Sequence, residues 1–159
     1  MKAIFALNKY LHRFTNISVR HTLELFDKLV LPIITYGCEV WGFHTANSIE
    51  RVHLQFCTQN EFVYGELGRM PLQLYRYYRI VKSWIKILHC EEAKYIRIVY
   101  NTMYNDMTTK PNIVNWCSLL RALLFLIGLP GAWFFQDVGD DKLFLKIVKT
   151  QIYYIFLQH

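Results

Sequence analysis

Glycine and proline are scarce in this chain, 7 and 4 among 159 residues, and their scatter leaves no low-complexity linker or internal repeat. Cysteine is equally sparse. Cys38, Cys57, Cys90 and Cys117 form no Cys-x-x-Cys pair, which excludes a zinc ribbon or knuckle and fits reduced, intracellular thiols. The longest apolar run, Ala122 to Phe135, is interrupted by Gly128, Pro130 and Gly131 and falls short of the roughly 20 residues a bilayer span needs. The opening Met1-Lys2-Ala3-Ile4-Phe5-Ala6-Leu7 is too short an apolar core for a signal peptide. Acidic residues are few, 12 against 18 Lys and Arg. The resulting net charge of +6 and isoelectric point near 9.2 favour polyanionic partners, nucleic acid or an anionic membrane surface, over small acidic substrates.

What the chain has in quantity is apolar and aromatic surface: 53% hydrophobic and 16% aromatic residues, with a mean hydropathy of +0.14. That content needs a core or a partner to cover it, the length suits one domain of common size or one modest domain plus a dangling element, and intrinsic disorder is not expected. Apolar residues recur at helical spacing almost throughout, and only Ile33 to Tyr36 hints at a strand, so the expected fold is all-α, an irregular bundle of about six or seven helices. Helices are expected from Lys2 to about Phe14, from an N-cap at Ser18 to a stop or kink at Pro32, and from a cap at Asn47 or Ser48. The longest begins at Pro71 and runs to about His89, followed by Glu91 to Tyr104, Ile113 to Ile127 and about Asp140 to Phe156. Loops are expected at Asn105 to Asn112 and Gly128 to Gly131. An abrupt change of character at Cys57-Thr58-Gln59-Asn60 marks a junction between regions 1–57 and 58–159, expected either as two regions or as one continuous domain.

Three ordered blocks carry a family signal. Leu25 to Gly42 reads Leu-Phe-x-x-Leu-Val-x-Pro-Ile-x-x-Tyr-Gly-x-Glu-x-Trp-Gly, Glu50 to Cys57 reads Glu-Arg-Val-His-Leu-Gln-Phe-Cys, and Tyr64 to Leu72 reads Tyr-Gly-Glu-Leu-Gly-Arg-Met-Pro-Leu. In this order they resemble the thumb and the region after it in non-LTR, LINE-type retrotransposon reverse transcriptases, with a fainter echo at Leu126-Ile127-Gly128-Leu129, Trp133 and Gln136. The resemblance implies that the Tyr36 to Trp41 block fixes the turn of the thumb. It also implies that the fingers and palm, with their catalytic carboxylates, lie upstream of Met1, so that this chain alone does not polymerise. A two-metal polymerase needs those carboxylates to converge on its ions. The family's short basic segment after Phe-Cys is missing here, which implies a shortened junction near 57–58.

No catalytic, metal-binding or cofactor-binding residue is singled out. Asp140 and Asp141 imitate a polymerase Asp-Asp pair but precede Leu143, Phe144, Ile147 and Val148, the position of acids that complement the positive end of a helix. His53 and Cys57 are four apart, yet without a third ligand packing is their expected role. The informative cluster is basic. At about 100° per residue, Arg76, Arg79, Lys82 and Lys86 fall within an arc of about 120° on the long helix, with Tyr75 inside it. Arg69 and Lys94 flank that helix. Cations beside a stacking ring suit an RNA or DNA backbone without reading its sequence. Lys142, Lys146 and Lys149 form a second stripe on the last helix, for which a membrane surface is the rival reading.

The expectation is therefore a noncatalytic fragment of a retrotransposon reverse transcriptase that binds RNA or DNA backbone nonspecifically, with an upstream palm supplied in trans as a further partner, and with no cofactor or small-molecule substrate. Two alternatives stand beside it. One is a helical protein-interaction or membrane-surface protein using Ala122 to Phe135 and the last helix; the other is a fossil open reading frame without a selected role, whose mark is poor packing. An intracellular setting is expected, with nucleus or cytoplasm left open.

Overall fold

The computed structural model describes residues 19–44, 47–57, 71–110 and 112–157. Those residues are all-α, with no strand among them. The helix expected over Lys2 to Phe14, the Ser18 cap and the segment after Cys57 lie outside the described residues. The chain divides into two compact units, Met1–Gly37 with Thr45–Gln73, and Cys38–His44 with Leu74–His159. The junction expected at 57–58 borders residues that are not described.

In the first unit α1 (Val19–Leu25) runs into a π-helical stretch, Phe26–Val30, and then into α2 (Leu31–Ile34). Pro32 sits in the first turn of α2, so it starts a helical turn where an end or kink was expected. The π stretch before it explains the difference. Proline has no N–H to bond backwards and its ring crowds the preceding turn, and a locally widened turn accommodates both. Ile33 and Ile34 are therefore helical rather than extended, and the buried Thr35 returns its hydroxyl to the Leu31 carbonyl at 2.7 Å. Phe26 and Val30 are buried against Leu31 and Ile34. On α4 (Asn47–Cys57) the buried His53 stacks near Phe26 with ring centroids 5.3 Å apart. Glu50 accepts the Leu72 N–H through both carboxylate oxygens at 3.1 Å, satisfying an orphan donor and complementing the positive end of the helix that starts there.

The second unit holds α3 (Cys38–Trp41), nearly all of α5 (Leu72–Leu88), α6 (Tyr95–Thr109), α7 (Trp116–Leu126), α8 (Pro130–Phe135) and α9 (Asp141–Leu157). Its core joins Ile80, Val81, Trp84 and Ile85 of α5 to Tyr100, to the buried face of α7, to Trp133 and to Phe144, Val148 and Ile152 of α9. Trp84 stacks near Trp133 at 6.4 Å and donates its indole N–H to the Tyr100 hydroxyl at 3.0 Å, which in turn donates to Gln136. A buried tryptophan N–H without such a partner would cost about 1–3 kcal/mol.

Several expected boundaries shift. Helix α6 begins four residues later than expected and runs to Thr109, taking up most of the loop expected at Asn105 to Asn112; Pro111 follows in sequence and disfavours further helix. Helix α7 begins at Trp116, where Asn115 and Ser118 form a reciprocal capping box. Pro130 initiates α8 inside the expected Gly128 to Gly131 loop, as suits a residue whose missing N–H would be unbonded there anyway. At α9 the Asp140 carboxylate accepts the Leu143 N–H at 2.7 Å, and Asp141 pairs with His89 at 2.9 Å. Both acids of the Asp-Asp pair thus engage the start of that helix or its neighbour.

Candidate functional site

The outer face of α5 presents Tyr75, Tyr78, Arg79, Lys82, Ser83 and Lys86 along one side of a groove of about 500 Å³, with Glu39 of α3 also lining it. Helical spacing puts the α5 residues there. Positions 75, 79, 82 and 86 recur every three or four residues, while Ile80, Val81, Trp84 and Ile85 turn inward. Lys82 and Lys86 lie one turn apart, roughly 6 Å along the axis, are exposed, and have no ion-pair partner among the described residues.

Arg79 behaves differently. Its guanidinium is bonded to the Glu39 carboxylate and lies 5.9 Å from the Tyr75 ring centroid. Burial lowers the affinity of this group for its proton, but the bond it donates to Glu39 and that carboxylate's charge more than offset it, so the guanidinium is held above its usual range. Glu39 is placed by its own backbone. Gly37 takes the left-handed conformation, φ 66°, ahead of α3, and a Cβ on Gly42 would stand 2.3 Å from the Cys38 carbonyl oxygen, so only glycine lets the chain leave α3 as it does. Trp116 then donates its indole N–H to the Glu39 carbonyl at 2.8 Å. The neighbouring Cys38 is fully buried; burial first, and the Glu39 charge second, push its thiol up against the opposing pull of Arg79 and Arg76. It is a packed thiol, not a thiolate nucleophile.

The expected cluster is thus gathered in part. Tyr75, Arg79, Lys82 and Lys86 share the groove. Arg76 does not belong with them: it is 2% exposed, donates to the His44 carbonyl at 2.9 Å and lies over the Trp41 ring at 5.6 Å. The reason is its position at the edge of the basic arc beside the apolar face, where the residues after α3 fold over it. Lys94 is exposed at the N-terminus of α6 and does not line the groove, and Arg69 lies outside the described residues. Tyr78 and Ser83 were overlooked, although they stand three residues after Tyr75 and four after Arg79. Glu39 had no such local signal, since its partner is forty positions away. Among the described residues no three His, Cys, Asp or Glu side chains come together as metal ligands, and no helix is long and apolar enough to cross a membrane.

The class that fold and groove define is an all-α chain with an aromatic-edged groove that carries, among the described residues, three cations and one carboxylate. No family model, no curated protein and no solved structure matches the chain.

Proposed function

We propose that this chain is a noncatalytic fragment of a LINE-type reverse transcriptase, comprising the thumb and the region after it, and that it holds a single-stranded RNA or DNA backbone in the α5 groove inside the cell. The observation that carries this reading is the groove itself. Two lysines one turn apart, without an ion-pair partner among the described residues, offer phosphate contacts, and the partly exposed Tyr75 with Tyr78 beside it offers rings for stacking. A groove of this size accommodates one or two nucleotide units, so the fit is to a single strand rather than to a duplex laid inside it. Backbone neutralisation gives affinity without base preference.

Fluorescence anisotropy with labelled oligothymidylate and oligouridylate across a salt series tests it. The double variant Lys82→Gln with Lys86→Gln is expected to weaken binding roughly tenfold and to flatten the salt slope by about 1.4, two phosphate contacts on a single strand. An unchanged slope in a folded double variant refutes the reading. A second reading, an interaction or membrane-surface protein, is favoured by the exposed Phe125, Leu126, Phe134 and Phe135. Binding to anionic vesicles with none to either oligonucleotide would replace the first reading by this one.

A further inference from the structure

Among the described residues Glu39 is the one carboxylate lining a groove that is otherwise cationic, aromatic or hydroxylic. It is held there by the Gly37 and Gly42 backbone and by the Trp116 bond to its carbonyl, and its side chain engages the guanidinium most suited to a phosphate. Both partners keep partial access to solvent, 32% for the Arg79 side chain and 26% for that of Glu39, so an incoming anion can reach the pair. An arginine–carboxylate bond and an arginine–phosphate bond use the same donors in the same geometry.

We propose that Glu39 is an internal competitor for Arg79, its carboxylate standing where a nucleic-acid phosphate would sit, so that binding exchanges one anion for the other at this end of the groove. The proposal rests on the nucleic-acid reading above and adds to it a residue that sets affinity. Among the described residues the groove offers two free cations, Lys82 and Lys86, with Glu39 in place; with Glu39 displaced or neutralised it offers three. The net contribution of Arg79 to binding is therefore small in the native chain and large once Glu39 is removed.

The test is oligothymidylate binding to the full chain by anisotropy across salt, with melts confirming that each variant is folded. Glu39→Gln is expected to bind about fivefold tighter, the scale of one exposed ion pair, with the slope steeper by about 0.7. Glu39→Gln combined with Arg79→Gln is expected to lose that gain, and Glu92→Gln, which removes the same charge from the turn before α6, to stay within about twofold of the native chain. If Glu39→Gln does not fold, Glu39→Asp serves: it keeps the charge, shortens the reach by one methylene, and is expected to tighten binding at unchanged net charge. Native binding with no gain in Glu39→Gln, or a gain that survives loss of Arg79, overturns the competitor and leaves the nucleic-acid reading standing. Absence of binding by every variant overturns both, and binding seen only once Glu39 is neutralised, and only with Arg79 present, supports the competitor and overturns the nucleic-acid reading for the native chain.

Discussion

Two helices of the second unit carry cations at helical spacing, and they differ in what stands opposite. On α5, Lys82 and Lys86 border a groove whose far side includes Glu39, brought there by α3. On α9, Lys142, Lys146 and Lys149 are all exposed beside the exposed Leu143, Ile147 and Tyr154. Both helices bury their other side in the same core. Spacing thus makes a charged stripe, whereas a second element facing the stripe makes a concavity in which charges and rings act on one ligand. Among the described residues the α9 stripe is a solvated helix face, and the α5 stripe differs from it through Glu39, Tyr75 and Tyr78.

The contrast breaks most completely if the platform beneath α5 is removed. Trp84 is fully buried and bonded to Tyr100, so Trp84→Ala is expected to cost about 3–5 kcal/mol, read as a lowered urea midpoint with loss of near-ultraviolet circular dichroism. Alkaline pH attacks the same platform more gently. Burial pushes the Tyr100 hydroxyl up to about 12 and the Cys117 thiol up to about 12, so the folded state keeps protons that the unfolded chain releases at about 10 and 9. Their contribution is complete below about pH 9 and is lost as pH rises from there through about 12; Tyr100 alone accounts for about 3 kcal/mol. Urea midpoints at pH 8 and pH 11 check the direction, and Tyr100→Phe is expected to flatten the decline. The smallest effect sharpens the comparison rather than breaking it. Replacing Lys142, Lys146 and Lys149 together by glutamine removes more charge than the Lys82 and Lys86 pair, yet oligothymidylate affinity is expected to change only about twofold at physiological salt, because charges beyond a Debye length are screened. A tenfold loss would mean that α9 is a binding face in its own right.

Much of the helical order was legible in the residues. The long helix expected from Pro71 to about His89 is Leu72–Leu88, and the last, expected from about Asp140 to Phe156, is Asp141–Leu157, because a proline at one start and an aspartate at the other mark where backbone donors need help. The α6 shift was harder, since Glu91, Glu92 and Lys94 resemble a first turn but form the turn before it. Nothing local marked the π stretch before Pro32. Tyr75, Arg79, Lys82 and Lys86 were legible as a set because one helix carries them all. Arg76 was misplaced from the same pattern, since an angle on a helical wheel says where a side chain starts and not what folds over it.

By itself the sequence determined an all-α chain, the inward and outward faces of its long helices, and the three cations of α5, because hydrophobic period and capping act within a few residues. Only the tertiary structure decided that Arg76 is buried against Trp41, that Glu39 holds Arg79, and that Trp84 rests on Tyr100. Each of those depends on groups far apart in the chain meeting at bonding distance, and what brings them together is the packing of a shared core, which no local spacing encodes.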